Sequence, residues 1–223
     1  RFFVGVIKSS SKRFIFVTSA GNNMSEWHFM EASDPNSKLT LVQPRHEEFE
    51  YDVDHHGERF LIRNNGDGAK DFKVSETSVS APGSENWKHL VPHEPGRPIA
   101  GIGVSQDYFV LYYRANGLPQ VQIMDLSTGV THDLSLDEED YSVRLQGSRE
   151  WDSPILRFSY ASLTTPATVY DYDMGTHQRE FRKQVQILGG FSSERYESRR
   201  VFATAADGNQ IPISVLYAKD TPL

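Results

Sequence analysis

The sequence predicts an all-β protein, a partial β-propeller of about four four-stranded blades followed by a terminal β-hairpin. Three observations lead there. Short apolar-rich runs with a period of two recur between clusters of Gly, Pro, Asn, Asp and Ser. These runs fall into groups of four that restart at intervals of roughly 40 to 50 residues, about the length of one blade. Tyr, Phe, Val, Ile and Thr are abundant, whereas Ala-Leu-Glu-Lys runs that could hold an amphipathic helix are almost absent.

The first group comprises strands at residues 2–8, 13–19, 26–31 and 39–42, with turns at 9–12, Gly21-Asn22-Asn23 and Asp34-Pro35-Asn36. The second comprises 49–53, 59–64, 72–76 and 87–91. The third comprises 99–104, 108–114, 120–126 and 130–134, with Ser127-Thr128-Gly129 suited to a tight hairpin. The fourth comprises 141–145, 155–160, 168–172 and 181–187. Its middle pair is the best bounded. Ile155, Arg157 and Ser159 alternate with Leu156, Phe158 and Tyr160, which puts the larger apolar groups on one face. Pro154 and Pro166 lack an amide donor and mark the edges of the pair. A single β-sandwich rarely needs so many strands, so blades are the better reading.

After Leu188 the pattern changes. Gly189-Gly190 breaks the strand, and residues 201–205 and 211–217 read as a hairpin turned by Asp207-Gly208-Asn209. The expected division is 1–188 as propeller and 189–223 as the opening of a second domain. The start RFFVGVIKSS, with neither Met nor a charged-then-apolar leader, reads as part of a longer protein.

Composition narrows the function classes. A formal charge of −7 over 223 residues argues against a nucleic-acid partner, because such binding is driven by Lys and Arg neutralising phosphates. An acidic surface suits cationic ligands, or simply solubility. The absence of cysteine excludes disulfides, Cys-ligated zinc and a thiol nucleophile. No run of about 18 apolar residues exists, so no membrane-spanning helix is expected. No Gly-x-Ser-x-Gly elbow occurs, so no catalytic residue is assigned, and the chain alone is expected to be catalytically silent.

Five polar clusters remain. His55-His56, near Asp52 and Asp54, is the densest metal-like group. Neighbours on a strand point to opposite faces, so these histidines could share a metal only from a turn, where Gly57 suggests they sit. A solvated blade turn is the plainer reading. Asn64-Asn65-Gly66-Asp67-Gly68 with Asp71 faintly resembles a calcium loop, but the closing Glu and flanking helices are missing, and a hairpin connection is preferred. No metal or cofactor site is therefore assigned. Glu47-Glu48 with Glu50, and Asp137-Glu138-Glu139-Asp140, could line an opening that attracts basic peptides, or be solvated loops. Arg195, Arg199 and Arg200 could form ion pairs with a following domain.

The wording of two stretches carries a family resemblance. Ser153 to Ser162 (SPILRFSYAS), followed by Thr164-Thr165-Pro166 and Val169-Tyr170-Asp171-Tyr172-Asp173, resembles the last propeller blade of the prolyl oligopeptidase family. Gly189-Gly190-Phe191, Tyr196 and the run from Ala203 to Tyr217 (ATAADGNQIPISVLY) resemble that family's crossing into an α/β-hydrolase domain. His55 to Asn65 (HHGERFLIRNN), Ala69 to Lys73 (AKDFK) and Asp171 to Met174 are more similar to the oligopeptidase B branch. The resemblance implies a cytosolic serine peptidase that cuts short peptides after Lys or Arg, or after Pro in the sister branch. It also implies a seven-bladed propeller that screens substrates above a hydrolase domain holding the catalytic triad. Its partners would be short basic peptides and its own hydrolase domain. None of the family's catalytic residues has a matching position here. Arg199 stands where an acid is common and Ser192 where Asp is common, which puts interdomain contacts through those acids in doubt. An open stack of about four blades exposes strand edges at both ends, so the segment is expected to pair with a second copy, or to be an ordered remnant of a longer protein cut by a protease. A stand-alone propeller interaction module without chemistry is the alternative.

Overall fold

A computed structural model describes residues 2–146 and 150–222 of the chain. Four antiparallel meanders of four strands follow one another, and a two-stranded sheet ends the chain. The first sheet is β1 (Phe3–Lys8), β2 (Phe14–Ala20), β3 (Ser25–Glu31) and β4 (Thr40–Gln43); the second is β5 (Tyr51–His56), β6 (Arg59–Asn64), β7 (Lys73–Ser78) and β8 (Lys88–Val91). The third is β9 (Ile99–Val104), β10 (Tyr108–Ala115), β11 (Leu118–Asp125) and β12 (Thr131–Asp133); the fourth is β13 (Tyr141–Leu145), β14 (Ile155–Ser162), β15 (Thr168–Asp173) and β16 (Gln178–Gln184). The terminal pair is β17 (Tyr196–Thr204) and β18 (Gln210–Ala218). Each expected strand exists, and the partial propeller is the fold.

Side-chain pattern explains the stacking. In β6, Phe60, Leu61 and Ile62 are all fully buried, and in β10 Phe109, Val110 and Leu111 are all buried. A continuous apolar run means both faces of the strand are covered. Phe60 and Ile62 face the first sheet, joining Phe14, Phe16 and Phe29, while Leu61 faces the third, joining Phe109 and Leu111. Val110 then faces the fourth sheet with Phe158 and Tyr172. A sheet at the end of the series needs only one covered face. In β14, Leu156, Phe158 and Tyr160 are buried while Arg157 stays exposed, as the alternation predicts.

Polar bonds tie the layers. Ser25 Oγ donates to the Tyr51 carbonyl at 2.7 Å, and the Trp27 N–H donates to Tyr51 Oη at 2.9 Å. Tyr112 Oη donates to the Val143 carbonyl at 2.9 Å. The turns at one end of the stack also converge. His56 Nε2 donates to the Gln106 carbonyl at 2.8 Å, and the Gln106 N–H donates to the Trp151 carbonyl at 2.8 Å. Lys12 reaches Glu150 at 3.9 Å, so hairpins of all four blades meet beside Trp151.

Several strand limits differ from expectation, β17 for example beginning at Tyr196 and not at 201, and two of the shifts have a plain physical reason. β5 continues through His56, because His55 and His56 pair with Phe60 and Arg59 and leave only Gly57-Glu58 as the turn. Gly57 there has φ +62°, the left-handed conformation that glycine adopts without strain. β16 begins at Gln178, earlier than expected, because Asp173 Oδ1 accepts the N–H groups of Gly175 and Thr176 and closes the turn early.

Candidate domain seam

The end of the chain holds the most function-bearing geometry. Beyond β16, Gly189 and Gly190 have φ +91° and +76°, so the crossing uses backbone conformations that other residues rarely adopt. A single turn at Ser193–Arg195 then leads into β17. β17 and β18 pair without a bulge from Tyr196↔Ala218 to Thr204↔Gln210. Asp207 closes their turn by accepting the Asn209 N–H at 3.1 Å, with Gly208 at φ +88°.

This hairpin touches the propeller through Arg200. Its N–H donates to Glu139 Oε2 at 3.2 Å, and its guanidinium donates to the Asn116 carbonyl in the β10–β11 turn. Gly117 in that turn has φ +77°, and a Cβ built there would lie 3.2 Å from Arg200 Nη2 and 3.6 Å from Pro212 Cγ. Gly117→Val is therefore expected to strain the turn and push the hairpin off. Amide hydrogen exchange in β17 should rise relative to β14, and unchanged protection of β17 would contradict this seam.

The antiparallel meander places the β10–β11 turn at the end of the stack opposite the β9–β10 turn. The hairpin thus sits at one mouth of the blade stack, and the ring of turns around Trp151 at the other. Of the three arginines singled out in the sequence, Arg200 is the one whose hydrogen bonds, among the described residues, reach across. Arg199 folds back on Glu197 at 2.7 Å, and the Arg195 carbonyl accepts the Lys219 N–H at 3.0 Å. Exposed contacts of this kind contribute at most about 1 kcal/mol each, so the seam can open.

The acidic run at 137–140 is exposed at Asp137 and Glu139, as a solvated loop would be, but three of its carboxylates are tied to other parts of the fold. Asp137 pairs with Arg179, and Glu139 takes the Arg200 N–H. Glu138 accepts from Thr164 Oγ1 at 2.7 Å, Thr165 Oγ1 at 2.6 Å and Tyr160 Oη at 3.1 Å. Burial alone would raise the Glu138 carboxyl, but the combined hydroxyl donors outweigh it and hold its pKa below the usual value. The run is a staple between β14, β16 and the hairpin. Glu47, Glu48 and Glu50 are exposed, as a solvated loop would be.

The two metal-like clusters also resolve. His55 is buried between the rings of Phe14 and Phe60 at 4.7 and 5.9 Å, and its Nδ1 meets Ser11 Oγ at 2.7 Å. It is a core residue, not part of a solvated turn, and it points away from His56, which spans to the next blade. Asp54 is held by the Ser10 N–H at 2.9 Å and by Ser10 Oγ. In the glycine-rich loop, Asn65 caps the Glu50 N–H at 2.8 Å and Asp67 binds Lys73 at 2.6 Å. Among the described residues no group of three His, Asp or Glu side chains is arranged to hold a metal ion.

Comparison with known proteins agrees with this architecture. Residues 1–185 match the family model described as prolyl oligopeptidase, N-terminal beta-propeller domain. Dipeptidyl aminopeptidase BI of Pseudoxanthomonas mexicana is 33% identical over 98% of this chain, and protease 2 of Moraxella lacunata is 26% identical over 97%. Oligopeptidase B from Trypanosoma brucei, solved in a closed form with covalently bound antipain, superposes with a TM-score of 0.90 at 30% identity over 100% of this chain. Oligopeptidase B from Leishmania major gives 0.87 at 30% identity over 98%. The chain spans 30% and 31% of the two curated relatives, and 33% and 32% of the two solved chains. With the four meanders and the family match covering the same residues, the chain belongs to the prolyl oligopeptidase family, as sequence of its N-terminal β-propeller domain.

Proposed function

We propose that this chain is the substrate-screening propeller segment of an oligopeptidase B-type serine endopeptidase, which cleaves short peptides after Lys or Arg in the cytoplasm. Residues 1–188 supply the blades, and 189–223 begin the catalytic α/β-hydrolase domain. The observation that carries the reading is agreement along the whole chain, hairpin included, with oligopeptidase B of known structure. The net charge of −7 suits basic peptides as substrates. The catalytic groups belong to sequence outside these residues, so this segment by itself hydrolyses nothing. β1 ends the strand order of the first sheet, and its exposed Val4 and Val6 support pairing of the isolated segment with another copy.

A second reading rests on the 33% identity to a dipeptidyl aminopeptidase, namely that the intact protein acts from peptide N-termini. Assay of the intact protein on chromogenic amides separates the two. N-blocked substrates ending in Arg or Lys should be turned over, while N-blocked Pro substrates and folded casein-sized proteins should not. Activity confined to substrates with a free N-terminus would favour the second reading. Preference for Pro, or no peptidase activity at all, would overturn the first.

A further inference from the structure

Beyond peptide cleavage, we propose that a polar cavity in the second blade binds a small molecule carrying a phosphate or carboxylate group, with Lys73 as its anchor. The cavity, of about 310 Å³, lies where the segment joining β4 to β5 crosses the β6–β7 loop and β8. Its floor is polar and buried: Lys73 is 5% exposed, and Asn64 and Ser75 are each 1% exposed. Side chains of this kind are rarely buried without a partner of matching charge or hydrogen-bonding capacity.

The partner that Lys73 has is a weak one. Its Nζ meets Asp67 Oδ2 at 2.6 Å, but the Asp67 side chain is 90% exposed and sits at a left-handed loop position with φ +56°. Such a carboxylate exchanges readily with water and pays entropy to stay in place. An incoming anion with two or three oxygens can displace it and use more of the ammonium's three donors. Ser75 Oγ accepts from Asn64 Nδ2 at 3.1 Å, which leaves the hydroxyl proton to donate towards the same space. His46 and His89 stand at the rim, and among the described residues Asp67 is the one carboxylate in the lining. Displacing Asp67 would leave the Lys73 ammonium as the one formally charged group that the described lining holds, and an incoming anion would take the place of that carboxylate.

The walls specify the rest of the ligand. Phe49 and Trp87 line the cavity, His46 stacks on Phe49 at 4.5 Å, and the Trp87 Nε1–H is already committed to the Pro82 carbonyl at 2.7 Å. The indole therefore offers only its apolar surface. The site suits a compact aromatic or apolar body ending in an oxyanion.

Calorimetric titration of the intact protein with inorganic phosphate and with phenyl phosphate tests this. Phenyl phosphate should bind more tightly than phosphate. Asp67→Asn, which keeps a residue tolerant of the left-handed position, should tighten both by about tenfold, the size of one charge-assisted hydrogen bond. Lys73→Met should abolish both, and Ser75→Ala should weaken both. If Lys73→Met does not fold, the opposite signs of the Asp67 and Ser75 variants decide. No binding to wild type and Asp67→Asn at millimolar ligand overturns the proposal. Binding that ignores these substitutions does so too, since it would then occur elsewhere in the protein.

Discussion

Phe60→Ala should destabilise the fold by about 3–5 kcal/mol, the largest loss expected from any single truncation in this chain. Phe60 is fully buried, with ring centroids 4.8 Å from Phe29, 5.6 Å from Phe14, 5.8 Å from Phe16 and 5.9 Å from His55. Edge-on aromatic packing of this kind adds to the transfer term, and four rings fixed on two sheets cannot collapse into the space left behind. The loss also falls at one seam. This cluster is the apolar contact between the first and second sheets, beside the polar ties from Ser10, Ser11, Ser25 and Trp27, so the variant should release β1 to β4 before the remaining blades. Urea denaturation followed by Trp fluorescence reads the total, and hydrogen exchange reads its place. Val4→Ala, at a side chain 73% exposed, is the matched control and should stay within about 0.5 kcal/mol of wild type. A loss below about 1 kcal/mol for Phe60→Ala would refute the packing of β6 against the first sheet.

That packing was legible in the sequence because it is local. Phe60-Leu61-Ile62 and Phe109-Val110-Leu111 are unbroken apolar runs in strands with both faces covered, and Leu156-Arg157-Phe158-Ser159-Tyr160 alternates in a strand with one. His55 was legible too, by the same rule carried further. Tyr51, Val53 and His55 share the buried face and Asp52, Asp54 and His56 the other, so the period of two runs on through the histidines. Gly57 drew the turn boundary forward, although a two-residue turn needs only Gly57 and Glu58. The acidic run at 137–140 could not be read in this way. Its partners lie far off in the chain, with Thr165 27 residues beyond Glu138 and Arg200 61 beyond Glu139. A local pattern records which residues are polar but not which distant donors the fold brings to them. The Lys73 cavity was hidden for the same reason. Lys73 and Ser75 look like ordinary residues of a strand, and their burial comes from the crossing of residues 44–50 above them.

Acidification should weaken the same first seam, through His55. Burial among Phe14 and Phe60 lowers its pKa, with the Arg13 charge adding to the effect, from 6.5 to about 4. Between those two values the unfolded chain binds a proton that the folded chain refuses. Stability from this group is therefore complete above about pH 6.5 and is lost as pH falls towards 4, to a limit of about 3 kcal/mol. Asp52 and Asp54 act with the opposite sign. Burial raises both carboxyls, so the fold takes up their protons before the unfolded chain does and recovers some stability on acidification. The total pH profile therefore mixes the three, and a difference isolates His55. Wild type and His55→Gln, each unfolded in urea at intervals from pH 7.5 to pH 4, should differ most at neutral pH, with the gap narrowing by about 3 kcal/mol towards acid. Glutamine removes the titration while keeping a hydrogen-bonding group for Ser11, so its own fixed cost cancels along the profile. Parallel curves would mean that His55 takes up its proton inside the fold at little cost. The Ser11–His55 contact would then be an open, hydrated tie between the first two blades and not a buried one.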